Sequence, residues 1–233
     1  MKSRLAFLIR AALMLLVWWV FWFAFTSPLS DEVNLAVLTG LPFLVLPIVW
    51  LGRAYLERHR SIGAATWTTT FVHFALMMPL GIPLVRAIAT HDDWVGWRIP
   101  VPSWIGLVLV LFTGSAFLLV VGNLALKGLG APFFIALSRK VATGWLYAWT
   151  RNPMVLAALA LLISLGLWYQ STFFILWALV LFVPALLVFI KVYEEEELAV
   201  RFGTSYLDYK ARTPMLFPRK PKMNRQAFGA SSQ

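Results

Sequence analysis

The chain of 233 residues is 61% hydrophobic and only 13% charged, with a mean hydropathy of +0.78 and a formal net charge of +10. Soluble domains hold about 45–50% apolar and about 25% charged residues, so the composition excludes an ordinary soluble domain and points to an all-α integral membrane protein. Zero cysteines exclude disulfides, thiolate catalysis and cysteine-held metals, three scattered histidines make no metal site, and the basic residues lie between apolar segments rather than in one patch for nucleic acid.

Six apolar segments follow in chain order, at 5–25, 33–51, 67–89, 102–126, 154–169 and 172–190. Each is near the about 20 residues that a membrane crossing needs, which predicts a bundle of about six transmembrane helices. The first opens with Lys2 and Arg4 like a signal peptide. Its run is too long, however, and Thr26-Ser27 offers no small-x-small cleavage site, so it reads as a retained helix. The third contains His73, Pro79, Pro83 and Arg86. His73 reads as a hydrogen-bonded bundle histidine, Arg86 as a snorkelling boundary residue, and the prolines as kinks tolerated by neighbouring helices. The fifth segment is short and is expected to pair tightly with the sixth. The link Tyr169-Gln170-Ser171 allows only a tight antiparallel hairpin between them.

Placing the N-terminus inside puts eighteen of the twenty Lys and Arg on the inner side and leaves only Arg86 and Arg98 outside. The positive-inside rule therefore favours six spans with both termini cytosolic. Trp94, Trp97 and Trp104 then flank the outer face, and Trp145 and Trp149 the inner one. Three regions result: residues 1–100 with three helices, a core at 101–218, and a basic tail at 219–233 expected to be disordered or lipid-touching.

Polar residues concentrate on the inner side, in the loop 127–153 and in the stretch 191–218, which begins KVYEEEELAVRFG. The hairpin of helices five and six joins them. Arg151-Asn152-Pro153 opens one helix and the glutamates close the other, so both belong at one membrane depth. Pro153 suits a first helical turn, where a missing N–H costs nothing. On a helical wheel of about 100° per residue, Glu194, Glu197 and Arg201 share a polar edge, and Glu197 and Arg201 form a favourable i,i+4 pair. Glu195 falls among Val192, Ala199 and Phe202, so it points from the apolar face and must be paired, bind a cation or protonate. Glu196 and Glu197 read as a solvated cap, and Gly203 as the helix stop. Tyr206 and Tyr209 read equally as interfacial anchors or as walls of a pocket.

The joint pattern resembles the isoprenylcysteine carboxyl methyltransferase and phospholipid methyltransferase superfamily. Gly128, Gly130 and Pro132 match its first element. Lys140, Thr143 and Tyr147 fit the approach, and Arg151, Asn152, Pro153 and Met154 are its signature. Glu194, Glu195, Leu198, Phe202, Gly203, Tyr206 and Tyr209 match the last motif in order and spacing, and Pro214 and Pro218 its close. Three positions depart from the pattern. Trp145-Leu146 stands for the usual Gly-Pro, Val155 for a tyrosine and Met215 for an arginine.

The resemblance implies an integral-membrane enzyme of bacterial inner-membrane type that uses S-adenosylmethionine. The cofactor would enter from the cytosol and the lipophilic acceptor, an amine, carboxylate or thiol, from the bilayer. It implies cofactor-binding roles for Tyr147, Arg151, Asn152, Pro153, Glu194, Glu195 and Tyr206, with Arg151 and Glu195 catalytic. Glu194 and Glu195 would take the cofactor ammonium or ribose hydroxyls. Arg151 would take its carboxylate or orient the glutamates. No obligate protein partner is inferred. The rival readings are a non-catalytic membrane protein that keeps the fold, and a small transporter, which the near absence of mid-membrane charge disfavours.

Overall fold

The computed structural model describes residues 2–93, 98–126 and 140–220, without the side chains of residues 2–11, 125 and 126. Trp94, Trp97, the Gly128, Gly130 and Pro132 element and the tail beyond residue 220 lie outside the described residues. The described chain is all-helical, with a helix on each of the six apolar segments. Helix α1 spans Lys2–Thr26. Helices α2, Asp31–Gly40, and α3, Val45–Arg58, form one body broken by a 3₁₀ turn at Leu41–Leu44, where Pro42 removes a donor. Helix α4 runs over Ile62–Ala89 with Pro79 and Pro83 inside it, starting earlier than its apolar run because Ser61 caps the Ala64 N–H.

Helix α5 is Ser103–Leu126 and α6 is Pro153–Trp168. The last long body contains α7 (Thr172–Trp177), α8 (Val183–Phe189) and α9 (Glu195–Phe202). Between them lie two π turns, Ala178–Phe182 and Ile190–Glu194, where a uniform α-helix was expected. Gly203 then turns the chain at φ 55°, ψ −134°, a conformation that favours glycine, into α10, Thr204–Arg212.

Successive long helices alternate in direction. Phe21 of α1 lies on Gly81 of α4, and Arg86 near the end of α4 holds the carbonyls of Ala24 and Ser27. Gly106 at the start of α5 lies against the backbone of Trp168 at the end of α6. The expected hairpin link is present: Gln170 turns at φ 54° and its side chain donates to the Val101 carbonyl at 2.7 Å. Residues 53–62, 145–153 and 191–220 thus gather at one end of the bundle, here the site end, and residues 24–31, 86–93 and 98–102 at the far end. The start of α1 and the close of α10 share the site end.

Four of these bodies are long and apolar enough to cross a membrane, Asp31–Arg58, Ile62–Ala89, Ser103–Leu124 and Thr172–Phe202, while Ala12–Thr26 and Pro153–Trp168 are shorter apolar helices. At about 1.5 Å per residue, the 16 residues of α6 fall short of a hydrocarbon core of about 30 Å. Helix α6 also packs chiefly along α5 rather than along the helix that follows it. Association in lipid depends on close packing more than on hydrophobic drive, and Gly106 allows that closeness, since any Cβ there would collide with the Trp168 backbone. Near the site end, Val45, Val49, Leu56, Val72, Phe189 and Tyr193 form one buried cluster, and Gly52 lets α3 close on the Tyr193 ring. Trp18, Trp19, Trp22, Leu111 and Phe112 stay exposed, as faces turned to lipid should be.

Candidate functional site

The site is built where the start of α6 meets α9, α10 and the segment after it. Backbone and side-chain bonds stitch 147–152 to 209–219. The Arg151 N–H donates to the Pro214 carbonyl at 2.9 Å, and the Arg219 N–H to the Trp149 carbonyl at 3.0 Å. Thr150 Oγ1 and Asn152 Nδ2 both donate to the Met215 carbonyl, at 3.1 and 2.9 Å. Tyr209 Oη donates to the Tyr147 carbonyl at 2.7 Å. These bonds leave Arg151 facing α9. Pro153 occupies the first turn of α6, as its chemistry predicts.

Arg151 Nη1 lies 2.7 Å from Glu195 Oε1 and donates to Tyr206 Oη at 3.4 Å. Glu195 Oε2 is 2.7 Å from Lys210 Nζ and 3.8 Å from the exposed Lys191 Nζ. Glu195 is 4% exposed, so the carboxylate on the apolar face is buried and paired between two cations. The Arg151 contact has the distance of an ion pair but not the alignment of a hydrogen bond. Among the described residues Arg151 Nε and Glu195 Oε1 are buried without hydrogen-bond partners, an uncommon and costly condition for such groups. Among the described residues no cation pairs with Glu194.

The phenols close to these charges are held protonated. Burial, and secondly the negative charge of Glu194, push Tyr147 from its ordinary 10.0 up to about 12. Burial and the charge of Glu195 push Tyr206 up to about 12 against the opposing pull of Arg151, and burial raises Tyr209 as well. Tyr206 and Tyr209 are both buried, which makes them walls of the site rather than interfacial anchors. The expected residues Tyr147, Arg151, Glu194, Glu195 and Tyr206 are thus brought together. Asn152 and Pro153 stand beside them with structural duties.

Two expectations need correction. Glu197 is not part of a solvated cap: it is 3% exposed and pairs with Arg201 at 2.7 Å. The reason is that α9 is packed on two sides, against Arg151 and α10 on one and against α4 on the other, so a second carboxylate is enclosed. Arg86 does not snorkel. It is buried at the far end, with Nε on Asn34 Oδ1 at 2.7 Å and Nη1 on the Ala24 and Ser27 carbonyls at 2.8 Å each. His73 is the satisfied bundle histidine that was expected, bonded to the Thr69 carbonyl at 2.9 Å and set edge-on to Phe189.

Sequence reasoning missed Lys210 and the backbone acceptors Pro214 and Met215. Lys210 had a signal: it lies four residues beyond Tyr206 on α10, and so on the same face. The carbonyls had none. The departures from the superfamily pattern also find their places. Trp145 adopts φ 57°, the left-handed conformation that glycine takes without strain. Val155 joins the site-end core, and the Met215 side chain packs against it.

The arrangement defines an all-helical membrane protein whose charged residues converge at the junction of a helical hairpin and a C-terminal strap. Residues 101–205 match the family model of phospholipid methyltransferases, so this part of the chain is similar to the superfamily that its motifs resemble. The matched region holds Arg151, Glu194 and Glu195, while Tyr206, Tyr209, Lys210 and the strap at 214–219 lie beyond it. No curated protein and no solved structure matches the chain.

Proposed function

We propose that the protein is an S-adenosylmethionine-dependent methyltransferase acting on a lipophilic acceptor at the cytosolic leaflet. The observation that carries this reading is a mixed-charge cluster with open valences. Among the described residues Glu194 has no cation, and Arg151 Nε is buried without a hydrogen-bond partner. The amino-acid portion of the cofactor bears one ammonium and one carboxylate, and this donor set complements both. When bound, the cofactor supplies an electrophilic methyl group.

Glu194 would hold the ammonium or the ribose hydroxyls, and Arg151 the carboxylate. Glu195, bridged between Arg151 and Lys210, fixes the guanidinium plane. Tyr147 and Tyr206 line the site as neutral phenols and exclude water. Asn152 and Pro153 anchor the start of α6, so Arg151 keeps its position relative to α9. Methyl transfer is an in-line displacement in which alignment supplies much of the rate, and the bonds from 147–152 to 209–219 supply the rigidity. An amine or thiol acceptor must also lose a proton, for which a glutamate or Tyr206 is the candidate at hand. The cationic flank at the site end supports a cytosolic placement of this end, and the bacterial-like form of the motifs suits a bacterial inner membrane.

Calorimetric titration of S-adenosylhomocysteine into the detergent-purified chain tests the reading. Binding is expected, with Glu194→Gln weakening it by about tenfold, or ~1.4 kcal/mol. Glu196→Gln, at an exposed 3.1 Å pair with Arg60, should leave it unchanged. A folded protein that binds nothing overturns the reading and favours a non-catalytic member of the fold, to which the core-packed Val155 and Met215 would belong.

A further inference from the structure

A second buried polar stripe lies on the face of the site helix turned away from Arg151. Tyr193, Glu197 and Arg201 follow at intervals of four residues and so share one face. Tyr193 is fully buried, and its hydroxyl is 3.1 Å from Thr69 Oγ1 of α4. The Thr69 hydroxyl also reaches toward the Glu197 carboxylate, which Arg201 holds at 2.7 Å. Either hydroxyl can be the donor between Thr69 and Tyr193, while the Glu197 carboxylate only accepts. Relative to apolar packing, a buried ion pair contributes little to stability, and its best-attested use is to specify one arrangement.

The arrangement at stake is rotational. Tyr193 and Glu194 lie in the π turn Ile190–Glu194 that leads into α9. A π turn holds one residue more than the α-helix it interrupts. Relaxing it to α would rotate everything downstream relative to α8 by about 100°. Glu195 and Glu197 are about 200° apart on α9, so contacts on the Glu197 side decide what the Glu195 side presents. We infer that Thr69, Tyr193 and Glu197, with Arg201, form a positioning network that holds the wide turn in register and thereby aims Glu195 at Arg151 and sets Glu194 toward Tyr147 and Tyr206. This rests on the proposed cofactor reading for its consequence, though not for its geometry.

The test uses the full chain in detergent. Thr69→Val keeps the shape of the side chain and removes the hydroxyl. It should weaken S-adenosylhomocysteine binding by about tenfold, the scale of one buried hydrogen bond lost with its partner left unpaired. Thr69→Ser restores the hydroxyl and should restore affinity. Tyr193→Phe, which breaks the same link without touching α4, should weaken binding in the same direction and serves if the valine variant does not fold. Leu38→Ala, buried at the far end, should lower the melting temperature and leave affinity unchanged.

The chain contains no cysteine, so a single Glu194→Cys also reports rotation without cofactor. Its alkylation rate by a water-soluble maleimide should change with Thr69→Val and not with Leu38→Ala. Wild-type affinity in both Thr69→Val and Tyr193→Phe overturns the inference. So does an alkylation rate that follows stability alone. If the wild type binds no S-adenosylhomocysteine while the alkylation rates behave as expected, the cofactor reading fails and the positioning network stands.

Discussion

Arg86 at the far end and Arg151 at the site end are both drawn into the protein, and they are held differently. Arg86 meets neutral oxygens: its Nε and Nη1 go to the side chain of Asn34 and to the carbonyls of Ala24 and Ser27. It ties α1, α2 and α4 together where a frayed helix end would otherwise leave carbonyls bare. Arg151 meets a carboxylate at 2.7 Å and a phenol at 3.4 Å, and among the described residues its Nε has no hydrogen-bond partner. Arg86 is held by the fold at Nε and Nη1. On the proposed reading Arg151 keeps a donor open for a ligand, at the cost of an orphaned buried group.

That contrast can be broken at either end. The largest effect is expected from Arg86→Ala, which leaves Asn34 and two carbonyls unpaired and should cost about 3 kcal/mol of stability or more. Thermal unfolding should show the loss, and the folded fraction should bind S-adenosylhomocysteine as before. Arg151→Gln should do the reverse, weakening binding by about thirtyfold, or ~2 kcal/mol, with a smaller change in melting temperature than Arg86→Ala. Equal profiles for the two variants would remove the distinction between them.

The smallest effect concerns pH and sharpens the site end alone. Tyr206 ionises near 10.0 in an unfolded chain and near about 12 here. Between those values the unfolded chain has released a proton that the folded protein keeps, so the folded state binds more protons. This contribution to stability is complete below pH 10 and is lost as pH rises toward 12. The melting temperature should fall over that window, and Tyr206→Phe should flatten the fall.

The two ends were not equally legible in the sequence. The site end announced itself because Arg151-Asn152-Pro153 and the glutamates flank one short hairpin, and a hairpin returns to its starting depth whatever surrounds it. The far-end arginine was misread. An arginine between an apolar run and an acidic loop looks like a boundary residue until Asn34 and the end of α1, more than fifty residues upstream, are placed against it. Glu197 was misread for a related reason. A helical wheel describes one helix and cannot count the neighbours around it, and α9 has neighbours on both sides. The wheel also assumed a uniform helix, whereas two π turns interrupt 172–202.

By itself the sequence determined that this is a helical membrane protein, that its polar chemistry gathers at one end, and which superfamily its motifs match. Each of these follows from local quantities: length of apolar run, spacing of charge, and residue type at fixed intervals. Only the tertiary structure decided which of four adjacent carboxylates is bridged by cations, which is open, and which is locked against α4. Those outcomes depend on the rotation of one helix between two packed surfaces. A single wide turn shifts that rotation while leaving every residue in its place along the chain.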